Sequence, residues 1–256
     1  MPRLRRRLIP ILLLDRRRRL VKTVSFGERT YIGDPFNVVR LFNEKEVDEL
    51  CLLDIDATVD QRSPDVGFLG ELASECFMPL TYGGGITNIE QCHKLSRAGI
   101  EKFVVGTSSL DDTVMHSIAK ELGSQALVAC VDVKGCGDAA RCVVRSGNSL
   151  LNIGPTDLAL RAQNAGAGEI LLQSVDRDGA RNGMDVELIR LVSSSVSVPT
   201  IAAGGAGELI HLVEAFAAGA SAAASGSAFC FIGRLRAVLV SYPSDSQVLS
   251  AMQAHG

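Results

Sequence analysis

The feature that most constrains this chain is a repeat at a fixed spacing of half its length. Tyr82-Gly83-Gly84-Gly85-Ile86 is echoed by Ala202-Ala203-Gly204-Gly205-Ala206-Gly207, and each follows a short apolar run opened by proline, at Pro79 and Pro199. Upstream, Leu52-Leu53-Asp54-Ile55-Asp56 matches Leu171-Leu172-Gln173-Ser174-Val175-Asp176; downstream, Val105-Gly106-Thr107 matches Ser225-Gly226-Ser227. The offsets agree: 204 − 84 = 120, 174 − 54 = 120 and 226 − 106 = 120. A constant offset over three separated pairs marks two copies of one half.

A chain of 256 residues, 46% of them hydrophobic, can bury one large core or two ordinary ones, and the half-chain offset favours one symmetric body. Strand candidates fall at about 8–14, 50–55, 79–82, 102–106, 126–132, 169–174, 199–203 and 221–226. They are continuous apolar runs rather than alternating ones, as parallel strands covered on both faces require. Helical spacing follows Asp34-Pro35 and recurs over Asn88–Arg97, Asp112–Glu121, Thr156–Asn164, Asp185–Val192 and Glu208–Ala217. Strand and helix alternate, and no Pro-, Gly- or Ser-rich linker interrupts them. The expectation is α/β: a (β/α)8 TIM barrel built from two half-barrel repeats, one domain over residues 1–256. A doubly wound sheet would need its glycine turn after the first strand, whereas the turns here follow strands three and seven. Gly135 to Pro155, with two short strands around Arg141–Arg145, is the longest irregular stretch and is expected to serve as a lid.

The net charge of −3 and the sparse aromatic residues argue against nucleic acid as a partner. Seven cysteines without a Cys-x-x-Cys pair signal neither a zinc site nor a disulfide framework, and read as reduced thiols of a cytoplasmic protein. No cofactor or metal is expected. Arg3 to Arg7 and the apolar run after them imitate a signal peptide, but Asp15 and Arg16–Arg19 follow at once without a cleavage site, so the run reads as the first core strand. No apolar run approaches a membrane span.

In a barrel the working face lies at the C-terminal strand ends. Gly84 and Gly85 with Gly106 and Thr107, and Gly204 and Gly205 with Gly226 and Ser227, put bare amides and hydroxyls there, as two anion cradles on opposite sides of the mouth. Either motif alone is read as a tight turn; paired at one offset, they suit a substrate with two phosphates. Asp132, ending an apolar strand, is a candidate general acid or base, with a structural aspartate as the alternative. Asp54, Asp56, Asp176 and Asp178 ring the mouth. Lys22, in the loop after strand one, either closes on a phosphate or is solvated. At the opposite end Arg7, Glu49, Lys102 and Glu169 would converge as a ring of alternating charge, read from the residues as a salt-bridge network that fixes strand ends.

Leu53-Asp54-Ile55-Asp56-Ala57, Gly83-Gly84-Gly85-Ile86, Gly166-Ala167-Gly168-Glu169-Ile170-Leu171-Leu172 and Ser174-Val175-Asp176-Arg177-Asp178-Gly179 resemble the cyclase subunit of imidazole glycerol phosphate synthase, from about residue 7 to about 232. The resemblance implies a doubled half-barrel with two phosphate sites, and an axial ammonia passage fed by a glutaminase, a class I amidotransferase subunit docked at the N-terminal face. Arg7, Glu49, Lys102 and Glu169 match its gate. The cyclase chemistry implied by the resemblance uses two aspartates, one ending strand one and one ending strand five. Asp132 matches the second, whereas the first falls on Leu14 or Leu13. Asp15 can substitute only if the strand slips by one residue. Asp56, Gly106 and Ala203 also depart from the usual Thr or Ser, Asn and Ser. Tyr31-Ile32-Gly33-Asp34-Pro35 and Phe42-Asn43-Glu44-Lys45-Glu46-Val47-Asp48-Glu49-Leu50 are similar to cyclase-like paralogues associated with acetamidino modification of surface-polysaccharide sugars. That likeness implies ammonia passed, through a separate amidotransferase, to an N-acetylated nucleotide sugar. The authentic cyclase of histidine biosynthesis, acting on a phosphorylated small molecule, is the alternative; a sugar-phosphate isomerase on the same plan is a third.

Overall fold

In the computed structural model, residues 6–232 and 237–255 are described; Arg3 and Arg5 of the basic N-terminal run lie outside them. The chain runs β1 (Arg7–Leu14), β2 (Leu20–Lys22), β3 (Thr30–Gly33), α1 (Pro35–Glu44), β4 (Leu50–Asp54), α2 (Val66–Ser74), β5 (Leu80–Gly83), α3 (Ile89–Arg97), β6 (Lys102–Val105), α4 (Asp112–Leu122) and β7 (Leu127–Lys134). It continues as β8 (Arg141–Val144), β9 (Ser149–Leu150), α5 (Pro155–Asn164), β10 (Glu169–Ser174), α6 (Val186–Ser193), β11 (Thr200–Ala203), α7 (Leu209–Ala217), β12 (Ala222–Ser225), the hairpin β13 (Phe231–Ile232) and β14 (Ala237–Val238), and α8 (Asp245–His255). Strands β1, β4, β5, β6, β7, β10, β11 and β12 pair in parallel in that order, and β12 pairs back onto β1. The (β/α)8 TIM barrel expected from the repeat is the fold.

The barrel has two cores, which is why its strands carry no alternation. One face of each strand fills the interior, with Ile9, Ile11, Val104, Leu171, Ile201 and Ala224 among its residues. The other face packs outward under the helices, where Leu12, Leu52, Phe103, Leu127, Ile170 and Ala202 join one large cluster. The glycine turns are built by close backbone approach. Gly84 (φ +119°) sits where a side chain would strike the Asp54 carbonyl, and Gly204 (φ +92°) where one would strike that of Ser174. Since 204 − 84 = 174 − 54 = 120, the same steric need recurs in each half.

Helix α1 starts as its residues dictate: Asp34 accepts from Asn37 N at 3.1 Å with Pro35 in the first turn. Helix α2 has no counterpart in the sequence reading. Gly67 and Gly70 lower its intrinsic helicity, but Gly70 lets the helix close on Ala98 at the end of α3, and Phe68, Leu69 and Leu72 are buried. Two rim hairpins were legible only in part. Strands β8 and β9 are the short strands expected after strand five, with β8 antiparallel to β7. Strands β2 and β3 add an antiparallel pair to the end of β1, so Lys22 lies in a strand rather than a loop. Among the described residues, no helix is long and apolar enough to cross a membrane.

Candidate functional site

The C-terminal strand ends enclose a cavity of about 380 Å³. Its walls include Gly84, Gly85, Gly106, Thr107, Gly204, Gly205, Gly226 and Ser227, together with Lys22, Asp132 and Asp178. The mouth residues expected from sequence, except Asp15 and Asp176, therefore share one chamber; Asp176 instead accepts from Gly135 N at 2.7 Å. The two cradles face it from β5/β6 and from β11/β12. Thr107 Oγ1 accepts from Arg145 N at 3.0 Å, and the Ser227 amide donates to Ser225 Oγ at 3.2 Å, so neither turn is idle backbone.

Asp132 is nearly enclosed and accepts from the thiol of Cys130, whose Sγ lies 3.2 Å from Oδ1. Burial pushes its carboxyl up to about 6, with the Asp178 charge adding to the effect and the Cys130 thiol opposing it. Opposite it in the duplicated plan stands leucine. Leu13 pairs with Leu53 and lines the cavity; Leu14 points outward into the helix-packed core. Between the two leucines left open by the sequence, the inward one is Leu13. The register does not slip, and Asp15 closes a turn: its Oδ1 accepts from Arg17 N and Arg19 N, both at 2.9 Å, and its Oδ2 takes the Arg19 guanidinium at 2.7 Å. Burial raises the Asp15 carboxyl, yet these donors outweigh it and hold it below the usual range. Asp15 is not part of the cavity wall.

The aspartates of the first half are committed to arginine. Arg29 grips Asp56 in a two-pronged contact at 2.6 and 2.7 Å, and Arg16 N donates to it at 2.9 Å, holding its carboxyl at about 2. Asp54 accepts from Asp56 N and Ala57 N and faces Arg62. The run Arg16–Arg19 is thus spread over the rim, with Arg18 on Asp65 and Arg19 on Asp15.

Beside the second-half cradle at Gly226, Lys22 of β2 is 5% exposed and donates from Nζ to Ile11 O at 2.6 Å. It is neither solvated nor on a free loop; burial lowers its pKa against the opposing pull of Cys230 and Asp178. Asp178 accepts from Thr23 Oγ1 at 2.9 Å and from Gln173 Nε2 at 3.0 Å. Gln173 and Arg29 are site residues that no sequence motif singles out. The offset held a signal for Gln173, since 173 − 120 = 53 and Leu53, like Gln173, is the penultimate residue of its strand. Above the chamber, Phe26 of the β2–β3 loop lies against Gly147 of the β8–β9 turn, and Ser146 Oγ donates to Ile55 O at 2.9 Å. The two rim hairpins meet over the mouth.

At the other end of the axis the four charges close a ring. Arg7 reaches Glu49 at 2.6 Å and Glu169 at 2.7 Å; Lys102 lies 3.1 Å from each of the same two carboxylates. Thr81 Oγ1 donates to Glu49 Oε1 at 2.7 Å. All four side chains are largely buried, and burial weakens the charge on Arg7 less than Glu169 and Glu49 strengthen it.

Known sequences agree with this geometry. The family model described as histidine biosynthesis protein matches residues 7–235. A Pseudomonas aeruginosa protein with the provisional name imidazole glycerol phosphate synthase subunit hisF2 is 46% identical over 247 residues, 95% of this chain and 98% of that protein. A Leptospira interrogans protein provisionally named as a subunit HisF is 42% identical, covering 94% of this chain and 96% of its own. One from Vibrio vulnificus, provisionally subunit hisF3, is 39% identical across 98% of this chain and 97% of its own. With a family match from the first barrel strand to beyond the last, and relatives aligned almost end to end, the chain belongs to the histidine biosynthesis protein family, among its hisF-type subunits.

Proposed function

We propose that this chain is the cyclase-like subunit of a glutamine-dependent amidotransferase. It receives ammonia from a class I glutaminase docked at the N-terminal face and passes it along the barrel axis for acetamidino-sugar synthesis in a surface polysaccharide. The whole chain acts as one domain in the cytoplasm, with Arg7, Glu49, Lys102 and Glu169 as the gate. What carries the reading is the contrast between the two ends. The charged ring is complete, whereas the acid pair at the mouth is reduced to Asp132, and a missing acid or base costs roughly two to four orders of magnitude in rate. The ring's tight ion pairing suits a closure that opens on partner binding. The names of the relatives, all given as subunits of a synthase, support a partner subunit.

One observation favours a second reading, an authentic cyclase. Asp132, at about 6, is poised to give or take a proton near neutrality, and both cradles still face the same chamber. The deciding experiment supplies the purified chain with the two-phosphate aminoimidazole-carboxamide ribonucleotide and ammonium salt. The proposal expects no turnover above background. Turnover at a cyclase rate, abolished by Asp132→Asn, overturns it.

A further inference from the structure

The chamber has two unlike walls. The first half contributes Leu13 and Leu53, joined by Ile55 and Val59; the second contributes Asp132 and Gln173 at the equivalent positions, joined by Asp178. Leu13, Leu53 and Ile55 are only half-buried, and the surface they leave uncovered faces the cavity. Apolar surface held open inside a concave site is what a ligand's apolar face covers on binding.

The two cradles differ in a second respect. Lys22 Nζ is pressed against Gly226, so close that a methyl group there would collide with it. Bonded once, to Ile11 O, the ammonium has two further N–H groups to offer. The hairpins show what the other cradle has instead. Leu13 faces Val21 as Asp132 faces Val143, which makes Val144 the counterpart of Lys22. Among the described residues, a buried cation therefore stands at the β11/β12 cradle where the hairpin across the mouth has an apolar valine. The strand order β11, β12, β1, β4 sets that cradle directly beside the leucine wall.

We infer that the chamber binds a phosphomonoester whose esterified group is flat and apolar, with the phosphate at Gly204, Gly205, Gly226 and Ser227 beside Lys22 and the apolar face against Leu13 and Leu53. The inference concerns the chamber alone and does not depend on the passage of ammonia.

The test is calorimetric titration of the purified full-length chain with phenyl phosphate and with glycerol 3-phosphate. Burying most of one aromatic ring predicts a preference of about tenfold or more for the aryl ester. Leu13→Asn should remove most of that preference while leaving glycerol 3-phosphate within about twofold, and Lys22→Met should weaken both esters about tenfold or more. Should Leu13→Asn not fold, Leu53→Asn carries the same expectation, and amide shifts of the unmodified chain, concentrated at Leu13, Leu53 and Gly226 with phenyl phosphate, replace it. Equal affinities, no binding of either ester at millimolar concentration, or an undiminished preference in the leucine variant overturns the inference. Glutaminase-coupled ammonia transfer is a separate readout, so failure there leaves the binding result standing, and the converse holds too.

Discussion

Leu13 and Asp132 occupy the same place in the two halves of the barrel: Leu13 pairs with Leu53, Asp132 pairs with Gln173, and 173 − 53 = 120. The two halves share the backbone arrangement here but carry an isobutyl group in one and a carboxylate in the other. Replacing Leu13 with Asp would restore the symmetry at a cost in stability. The new carboxyl has the apolar Ile11 and Leu53 beside it, neither of which offers a side-chain donor, so we expect a loss of about 2–4 kcal/mol in urea unfolding at pH 7. The loss should shrink at pH 4, where the new acid is protonated. A pH-independent loss would refute the electrostatic part.

Asp132 gives the clearest pH signature. Its carboxyl is raised to about 6 in the folded protein, so the native state holds its proton more tightly than the unfolded chain does. The sign follows: this group costs stability as pH rises from about 4 to about 6, and the cost is fully present above that. Asp132→Asn should therefore stabilise the fold at pH 7.5, by up to about 3 kcal/mol, and do little at pH 4. Thermal unfolding at the two pH values checks it.

Asp56 shifts the other way. Arg29 holds its carboxyl at about 2, so it contributes stability above the unfolded value near 4 that is lost as pH falls toward 2. Arg29→Ala should lower the denaturant midpoint at pH 7 and leave it nearly unchanged at pH 2. Equal effects at both would assign Arg29 a packing role instead.

Glu49 touches both cations of the basal ring and also accepts from Thr81. Glu49→Gln leaves Arg7 and Lys102 sharing Glu169, and should cost about 2–3 kcal/mol in chemical unfolding, less than for a wholly buried pair because both cations are partly exposed. With a partner glutaminase present, Lys102→Ala should alter the fraction of glutamine-derived ammonia delivered. Unchanged coupling would count against the gate.

Gly84 and Gly204 should behave alike. Alanine at either forces a methyl group onto a backbone carbonyl at positive φ, at a cost of roughly 2–4 kcal/mol each, measured by thermal unfolding. Markedly unequal costs would mean that one turn has relaxed.

Much of this molecule was legible because its repeat is written in glycine and in uninterrupted apolar runs. All eight barrel strands fall within a residue or two of their expected bounds, and the cradles face one chamber. The same runs concealed which leucine faces inward. In Leu12-Leu13-Leu14 both faces of the strand are apolar, so no alternation assigns them, and only the pairing of Leu13 with Leu53 does. Lys22 was illegible for a different reason. Its burial depends on the Ile11 carbonyl and on β2 and β3, short strands among arginines with no apolar period. Asp15 could have been read as a turn residue from Arg19 four positions on, a local pairing that needs no register slip.

The basal ring also bears on how the halves relate. Its two acids are repeats of one another, 169 − 49 = 120, but both bases, Arg7 and Lys102, come from the first half. Cut between α4 and β7, the first piece would carry two bases and one acid at its base, and the second a lone acid. Each fragment would repel its own copy there and attract the other. At this ring the two halves, alike in backbone, complement each other as unlike pieces.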